Sequence, residues 1–595
     1  MDNRLMTAET KICQNCKKSF VIEPDDFGFY KKIGVPPPTF CPDCRYQRRL
    51  MFRNERSFYR RKCDLCKRDM IAVYPANSAF PVYCQKCWWS DNWNPLEYGR
   101  DVDFNRPFLE QIQELWEKIP ALSIQNDDGI GSVNSEWAYD WAFSKNTYLS
   151  VCGWYTENCL YTYYACYDKD IMDCYFVWNS EMVYDLINCS RCSRSKHCML
   201  CFDCVDCILS YDLRGCLNCT MCVGLRNKQF CILNQQYSKE EYFAKLKTLG
   251  LDSRDSLITR IRELEEFSCR MPKKFANLLK STQCTGDNLI GSKNSRNSFY
   301  AKDLENCRHM IDVDEAKDCY DCNNSGRPEL CYDCVTPDNS RGNKFSIFCW
   351  KCIEAEYSNN CHSSVSVLGC AALKHASYAI LNKQYSKEEF IELRKKLIAH
   401  MTKTGEWGEF FSHTFSPFAY NESAAFDRFQ LTKNNATAIG YRWKDELKKE
   451  YVPTKTAAQL PQTIAEVYDS VLNEIIECSH GGLCNEKCAT AFRIVAAELA
   501  LYRRMSIPLP TLCPNCRHHA RIVRRNPPKL WHRRCDCSGA RIDADKNADQ
   551  RGLKYINTVE HFHGTNPCTN EFETSYDPDR KKIIYCEKCY NAEIM

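Results

Sequence analysis

The stretch NCSRCSRSKHCMLCFDCVDCILSYDLRGCLNCTMC, at residues 188–222, decides the fold of this chain. In the wider segment Asn158–Cys231, cysteine recurs every fifteen residues, and an Asn or Asp precedes each member of the series. A fixed period with matching residue types is typical of repeat architectures. Fifteen residues are too few for a pair of helices but fit one coil of a β-solenoid, whose equivalent positions stack about 4.8 Å apart. The series is Cys159, Cys174, Cys189, Cys204 and Cys219.

The repeat predicts an interior and a corner for each coil. Free cysteine is among the most buried residue types, so the cysteines are expected to fill the interior. Asn and Asp tolerate the left-handed region, so Asn158 and Asp173 are expected at corners. The run Cys198–Cys207, spaced C-x2-C-x2-C-x2-C, leaves metal-cluster binding and redox thiol chemistry as alternatives. Iron–sulfur ferredoxins carry C-x2-C-x2-C-x3-C-P instead, which favours packing here.

A second copy of the repeat follows 148 residues after the first. Cys307 repeats Cys159 at this offset, and the segment Ser-Lys-Glu-Glu that follows the first copy recurs after the second. Ser340 stands where the first copy has Cys192. Loss of single cysteines is tolerable for packing but ruinous for a metal site, so this difference also favours packing.

Paired C-x2-C motifs stand near the N-terminus of the sequence. Each motif forms a tight knuckle that aims two thiolates at one point, and two knuckles together give the tetrathiolate set that structural zinc prefers. Two tandem zinc ribbons are therefore predicted. Their expected ligands are Cys13, Cys16, Cys41 and Cys44 for the first ribbon, and Cys63, Cys66, Cys84 and Cys87 for the second.

The C-terminal segment repeats this module 472 residues later and predicts two more ribbons. The first has a C-x3-C pair, with Cys478 and His480 as competing ligands, and the second has a C-x-C pair that is short for a knuckle. An insertion adds Cys568, His561 and His563, which are interpreted as surface or loop residues. About four zinc ions are expected in all. The predicted C-terminal ligands are Cys484, Cys488, Cys513 and Cys516, then Cys535, Cys537, Cys586 and Cys589.

The first ribbon resembles a known family over roughly residues 10–55. The motifs are Cys13-x2-Cys16-x3-Phe20, Phe29-Tyr30-x-Lys32, Pro36-Pro37-Pro38 and Cys41-Pro42-x-Cys44-Arg45. They resemble the bacterial probable zinc-ribbon family, and the whole layout is similar to multi-ribbon proteins of candidate-phylum bacteria. The resemblance implies a small treble-clef-like or ribbon-like zinc fold.

A segment rich in arginine and aromatic residues follows the fourth cysteine of the first ribbon, and another follows the fourth cysteine of the third ribbon. Arginine forks suit phosphates, and aromatic faces suit unstacked bases. These segments predict contact with nucleic acid, RNA more than DNA. The alternative is that the arginines pair with acids elsewhere in the chain while the rings pack. The candidate residues are Arg45, Arg48, Arg49, Arg53, Arg56, Arg60, Arg61, Arg517, Arg521, Arg524, Arg525, Arg533 and Arg534.

Composition bounds the remaining function classes. The 595 residues carry a net charge of only +4, so no global field selects a polyanion. No apolar signal segment opens the sequence, and no apolar run reaches the roughly 18 residues that a membrane span needs. The 43 cysteines are therefore interpreted as zinc ligands and buried thiols of a cytoplasmic protein. No nucleophile–base pair, glycine-rich phosphate loop or paired carboxylates are recognisable, so no enzymatic activity is predicted.

The predicted architecture is mainly β, with two solenoids between tandem zinc ribbons and with short capping and linking helices. The preferred function is a zinc-binding, non-enzymatic scaffold that binds nucleic acid, associated with RNA or the ribosome. One alternative is a protein–protein scaffold that uses solenoid faces, with stripes such as Trp154, Tyr163 and Trp178. Another is a metal-cluster or redox protein. The expected boundaries are ribbons at 1–100, a helical linker at 101–143, a solenoid at 144–236, a helical linker at 237–291, a second solenoid at 292–384, a helix and aromatic linker at 385–477, and ribbons at 478–595.

Overall fold

A computed structural model describes residues 7–126, 131–445, 452–542, 555–580 and 582–594. The predicted ranges also include 1–6, 127–130, 446–451, 543–554, 581 and 595, which lie outside the described residues. The chain divides into two compact units, and each unit joins one pair of ribbons to one repeat copy. Unit 1 comprises Met1–Gly129, Leu278–Thr285 and Leu289–Asp445, and unit 2 comprises Ile130–Asn277, Gly286–Asn288 and Glu446–Met595.

The first repeat copy, in unit 2, forms a pile of parallel strands that we call the first stack (residues 133–236). Tyr163 pairs in parallel with Tyr175, twelve residues further on. Single bridges continue the ladder at the same offset, as from Ser190 to Phe202. The predicted strand-rich chain with parallel sheets is therefore confirmed. The strands are Tyr139–Ala142, Val151–Trp154, Glu157–Leu160, Tyr163–Cys166, Lys169–Met172, Tyr175–Trp178, Glu181–Tyr184, Ile187–Ser190, Leu217–Thr220 and Gln229–Ile232, with Gln235–Gln236 antiparallel at the end.

The predicted fifteen-residue repeat unit is wrong, because the strands pair at an offset of twelve residues. Interior side chains recur at every third position: Cys198, Cys201 and Cys204 are each at most 1% exposed. Twelve and fifteen are both multiples of three. A cysteine fifteen residues further on is therefore again an interior residue, but it lies three residues beyond the position that stacks directly on the first. The fifteen-residue series traces a diagonal across the stack.

Every third residue through most of the first stack has a left-handed backbone. The value of φ is +56° at Asn158, +56° at Asp173 and +54° at Asn188, which confirms the role expected for the Asn/Asp series. The pattern extends to bulky residues, with φ of +52° at Tyr161 and +58° at Phe176. Such residues are strained in this region, so the ladder of hydrogen bonds and the packed interior must outweigh a repeated local cost.

The interior thiols of the stacks lie within hydrogen-bond distance of backbone carbonyls. The Sγ atom of Cys198 lies 3.3 Å from the carbonyl oxygen of Lys196 and 3.4 Å from that of Cys207. The same two acceptors, two residues before and nine residues after the thiol, recur at Cys192, Cys307, Cys334 and Cys352. Burial raises the pKa of Cys307 to about 12, so this thiol keeps its proton at neutral pH and donates. The geometry is that of small packed side chains with a weak S–H donor.

Serine should therefore replace an interior cysteine with little effect. Ser340 Oγ lies 3.1 Å from the carbonyl oxygen of Asp338 and 2.8 Å from that of Cys349, the acceptor positions that Cys192 uses in the first stack. We expect Cys192→Ser to change the free energy of unfolding by less than about 1 kcal/mol, because the donated hydrogen bonds persist. Cys192→Val should cost about 1–3 kcal/mol through overpacking. Urea denaturation checks both values, and metal analysis of Cys192→Ser must show no loss if the thiol only packs.

The second repeat copy, which lies in unit 1 except for Gly286–Asn288, forms the second stack (residues 278–384). It pairs at the same offset, with Tyr320 opposite Tyr332 and Val365 opposite Ser377. Its interior again contains fully buried cysteines and small apolar residues. The strands are Leu278–Leu279, Gly286–Ile290, Ser298–Glu305, Ile311–Lys317, Tyr320–Asn323, Tyr332–Val335, Ile353–Glu356, Val365–Leu368 and Ser377–Ile380, with Lys383–Gln384 antiparallel at the end.

The rest of unit 1 consists of the N-terminal ribbons and short helices. Ser386 and Glu389 form a reciprocal capping box that starts the helix after the second stack, as the sequence pattern predicts. The helices are Pro24–Ile33, Pro42–Leu50, Gln85–Trp89, Phe108–Trp116, Lys387–Thr404, Ala425–Arg428 and Lys433–Ala438, with short 3₁₀ turns at Pro95–Tyr98, His413–Phe415 and Tyr420–Glu422. The strands outside the stack are Glu9–Ile12, Ser19–Ile22, Tyr59–Lys62, Asp69–Ala72, Val82–Tyr83 and Ala121–Leu122.

The rest of unit 2 has the same kinds of element. Ser238 and Glu241 form the matching capping box after the first stack. Across the described residues of both units, no helix combines the length and apolar character that crossing a membrane requires. The helices are Lys239–Thr248, Arg254–Arg270, Ala496–Met505, Pro514–Arg524 and Glu587–Ile594, with 3₁₀ turns at Ala457–Gln459, Ile464–Glu466 and Asp469–Asn473. The strands outside the stack are Lys273–Lys274, Ile476–Glu477, Ala491–Phe492, Trp531–Arg534, Glu571–Thr574 and Ile584–Tyr585.

Candidate metal centres

Each ribbon places its cysteines with the same local geometry. The first cysteine follows a short strand, and the third precedes or caps a helix that carries the fourth. The backbone N–H of the third cysteine donates to the sulfur of the first. The four N···Sγ distances are 3.3 Å for Cys41 to Cys13, 3.3 Å for Cys84 to Cys63, 3.2 Å for Cys513 to Cys478 and 3.2 Å for Cys586 to Cys535.

The start of the helix favours thiolate over thiol. Free N–H groups and the positive end of the helix dipole stabilise negative charge there. In the first ribbon, a hydrogen bond with Cys41 outweighs burial and lowers the pKa of Cys44 to about 5. The Asn15 side chain adds an amide donor 3.4 Å from the same sulfur. These contacts favour a deprotonated Cys44 sulfur, the form that binds metal, whereas the hydrogen bond with Cys44 raises the pKa of Cys41 and burial raises the pKa of Cys16.

The structure brings both predicted N-terminal sets together. In each set, the four sulfur atoms lie within 4.8 Å of one another. Four thiolates are a donor set that zinc accepts in tetrahedral geometry, so these residues fit that metal. The two sets are Cys13, Cys16, Cys41, Cys44 and Cys63, Cys66, Cys84, Cys87.

The third set differs from the prediction by one ligand. Cys478, the competing candidate of the sequence, joins the other three cysteines within 4.8 Å, and the predicted ligand Cys484 lies beside the same group. Cys478 directly follows the strand Ile476–Glu477, which pairs with Ala491–Phe492, so it occupies the position that Cys13 has in the first ribbon. Cys484 lies on the inserted loop, with its sulfur 3.7 Å from Cys516. The Nδ1 atom of the competing candidate His480 lies 3.1 Å from Glu486. The set is Cys478, Cys488, Cys513 and Cys516.

The fourth set also differs by one ligand. Cys568, rather than Cys537, completes the group with Cys535, Cys586 and Cys589. The insertion opens the knuckle, so the second ligand comes 33 positions after the first in the sequence. The hairpin is otherwise normal, with the Cys535 N–H 2.9 Å from the carbonyl oxygen of Asn570. Cys568 lies in a loop, as one of its two expected roles has it, but it is not a surface residue, since it is only 1% exposed.

A further group lies beside this fourth set and shares one cysteine with it. Cys537, His561, His563 and Cys589 bring their ligand atoms within 4.8 Å of one another. The surface interpretation is wrong for His561, which is 4% exposed, whereas His563 is half-buried. The C-x-C spacing of Cys535 and Cys537 is the sequence signal for this second group, because two cysteines too close for one knuckle can belong to two adjacent groups.

In unit 1, arginines of the helix Pro42–Leu50 lie against aspartates of the second stack. Arg45 Nη2 is 2.8 Å from Asp321. Arg49 Nη1 is 2.5 Å from Asp333 and 3.4 Å from Asp321. Burial alone would raise the pKa of Asp321, but the neighbouring guanidinium groups of Arg45 and Arg49 hold it below its ordinary value. The carboxylate is therefore ionised and pairs with the helix.

Unit 2 repeats this contact with the helix Pro514–Arg524 and the first stack. Arg521 Nη1 is 2.7 Å from Asp173, and Arg517 Nε is 3.4 Å from the same carboxylate. Arg524 pairs with Asp185, with one N···O distance of 3.1 Å. Asp173 and Asp185 lie 148 residues before Asp321 and Asp333, so the two units use equivalent acids. The sequence analysis named Asp173 only as a corner residue and did not identify any of these aspartates as partners of the arginines.

Most of the predicted nucleic-acid residues are thus buried inside the protein. This matches the alternative that the arginines pair with acids of the same chain, and nothing in the geometry supports RNA association. Buried are Arg45, Arg48, Arg49, Arg53, Arg61, Arg517, Arg521 and Arg525, whereas Arg56 and Arg533 are half-buried and Arg60, Arg524 and Arg534 are exposed.

The aromatic stripe proposed for a protein partner lies elsewhere than expected. Tyr163 and Trp178 are buried, and Trp154 is half-buried. An exposed aromatic row instead contains Tyr155 and Tyr167, whose rings stack at 5.2 Å and 8°. Tyr155 and Tyr167 are both left-handed residues and are twelve residues apart, so they occupy equivalent positions on the outside of the first stack.

The described residues form a strand-rich chain with parallel sheets and contain several cysteine-rich groups that could hold metal ions. No protein-family model matches the chain, and no curated protein matches it either.

Proposed function

We propose that the protein is a zinc-dependent scaffold. In each unit, tetrathiolate zinc centres fold the ribbons, and a ribbon helix is fixed by buried Arg–Asp pairs to a β-solenoid with twelve-residue coils. The observation that carries this proposal is the N–H to sulfur contact that recurs in four groups of four cysteines. Unliganded thiols that merely pack have no need of such a repeated geometry.

The donor chemistry supports zinc as the metal. All-sulfur tetrahedral sets suit zinc or iron, whereas calcium and magnesium prefer oxygen. The stack cysteines do not compete for metal in this proposal, because their sulfur atoms lie against backbone carbonyl oxygens, as packed thiols do. Zinc therefore has a structural role at the ribbons, and the solenoid interior is filled by packing.

Metal analysis of the full-length protein, purified under reducing conditions, tests the proposal. We expect at least four equivalents of zinc and a colourless protein. Chelation should abolish the near-UV signal of the ribbon aromatics, because structural zinc supplies folding free energy. Most of the far-UV β signal should persist, since the stacks hold their own hydrogen-bond ladder. Fewer than four equivalents, or an unchanged near-UV spectrum after complete zinc removal, would contradict the proposal.

A further inference from the structure

The fourth ribbon contains two overlapping sets of ligands. Cys537 Sγ lies 3.2 Å from His561 Nδ1, and His563 Nε2 lies 3.3 Å from Cys589 Sγ. A tetrahedral zinc with Zn–N of about 2.0 Å and Zn–S of about 2.3 Å has sulfur–nitrogen edges of about 3.5 Å. Both contacts therefore have nearly the length of such edges. Cys589 is also a member of the adjacent tetrathiolate set.

The His561 ring is held as a metal ligand would be. Its Nε2 atom lies 2.9 Å from Glu593 Oε1, and both side chains are inaccessible to solvent. Glu593 is in turn fixed by the hydroxyl groups of Tyr555, at 2.9 Å, and Thr558, at 2.8 Å. A carboxylate on one ring nitrogen sets the tautomer and presents the other nitrogen to a metal. Here the other nitrogen is Nδ1, which points at Cys537.

The His563 ring has the opposite orientation, but a hydrogen bond on one ring nitrogen again leaves the other nitrogen for a metal. Its Nδ1 atom lies 2.7 Å from the carbonyl oxygen of Asn566, which can only accept a hydrogen bond. The proton is thus on Nδ1, and the lone pair of Nε2 faces Cys589. Two histidines in one small insertion therefore each direct an unprotonated nitrogen into the same group.

Cys537 has its own supporting contact. The Asn557 side-chain amide donates to its sulfur over 3.3 Å, and the Tyr585 hydroxyl donates to the other end of that amide over 2.9 Å. The tyrosine fixes the orientation of the amide, which places an N–H on the sulfur. Such a donor stabilises a thiolate, the form that a metal needs.

We propose that the fourth ribbon holds two zinc ions bridged by the Cys589 sulfur, the second ion being bound by Cys537, His561, His563 and Cys589. The proposal rests on the zinc-dependent function given above. A second dication also balances charge. Four thiolates around one zinc leave more net negative charge than five thiolates and two neutral imidazoles around two zincs, and excess charge is costly where the groups are buried.

Zinc content and spectroscopy of full-length His563→Ala test this site. We expect it to contain one equivalent of zinc less than wild type. Glu593→Gln keeps all ligands but weakens the support of His561, so its affinity for the second ion should fall about 10–100-fold. His532→Ala is the matched control: this exposed histidine lies in the same ribbon and pairs with Glu571 and Glu573, so zinc content should not change.

X-ray absorption of the zinc-loaded proteins gives a second readout. Wild type should show a zinc–zinc scattering path at about 3.5–4 Å, as in other two-metal sites, and His563→Ala should lack it. Cys44→Ser, in the first ribbon, should lose its own zinc but keep the path. If His563→Ala retains the wild-type zinc content and Cys44→Ser loses an equivalent, the bridged site is wrong and the zinc scaffold stands. If neither variant loses zinc, both proposals fail.

Discussion

Asp173→Asn should lower the free energy of unfolding of unit 2 by about 3–5 kcal/mol, the cost of removing one partner from a buried ion pair. Asp173 is 1% exposed and lies against Arg517 and Arg521, which are themselves buried. Asparagine retains the shape and tolerates the left-handed backbone. The expected loss is therefore electrostatic: the negative charge disappears while two guanidinium groups remain out of water.

Asp203→Asn is the matched control for this experiment. Asp203 belongs to the same fifteen-residue series and has the same backbone, with φ of +57° against +56° at Asp173. It pairs with Arg191 on the surface, and both side chains are more than half exposed. Its replacement should cost at most about 1 kcal/mol. Urea denaturation of both variants measures the difference, and equal small effects would mean that the helix contact contributes little.

The sequence of the repeat predicted which residues face the interior but not the length of one coil. The cysteine ladders correctly predicted an interior filled with cysteine and a left-handed backbone at the Asn and Asp positions. The coil length was wrong because inward-facing positions recur every three residues, so any multiple of three gives a regular series. The spacing C-x2-C-x2-C at Cys198–Cys204 shows this period of three residues directly. Choosing twelve over fifteen depends on which strands pair, and the side chains alone do not fix that.

The arginine segments illustrate a different limit. Charge and aromatic content show that the helix Pro42–Leu50 is basic, but they do not show which acidic group its arginines contact. The acid that pairs with Arg45 is 276 residues away in the chain, and the acid that pairs with Arg521 is 348 residues away. Asp321 and Asp173 look like any other corner aspartate of the repeat. An arginine-rich helix that binds phosphate and one that pairs with buried carboxylates can have the same composition, so the sequence of the helix does not distinguish them.

The sequence left Cys478 as a competing ligand of the third ribbon because nearness in sequence is a poor guide once a knuckle contains an insertion. Cys484 forms a C-x3-C pair with Cys488, whereas Cys478 is ten positions before it. The strand pairing favours Cys478 as the first ligand. Cys478 leaves the hairpin at the point where Cys13 does in the first ribbon, and the inserted residues loop out between the two ligands.

Cys478→Ser should consequently remove one equivalent of zinc and unfold the third ribbon, whereas Cys484→Ser should retain both the metal and the fold. Cys478 is 1% exposed and accepts the Cys513 N–H at 3.2 Å, so its sulfur has a fixed direction toward the cluster. Zinc binding supplies about 10–16 kcal/mol to the folding of zinc-finger peptides. A ribbon that keeps three thiolates loses much of that free energy.

Metal analysis and limited proteolysis near the third ribbon compare the two variants directly. Both substitutions replace cysteine by serine, both sulfur atoms lie within 4 Å of Cys516, and the variants differ only in which candidate is removed. Zinc loss with rapid cleavage in Cys478→Ser alone would confirm the assignment. Loss in Cys484→Ser alone would restore the ligand set expected from the C-x3-C spacing. It would also mean that the inserted loop, rather than the strand end, positions the metal, because a thiolate on the loop would then supply the free energy that folds the hairpin.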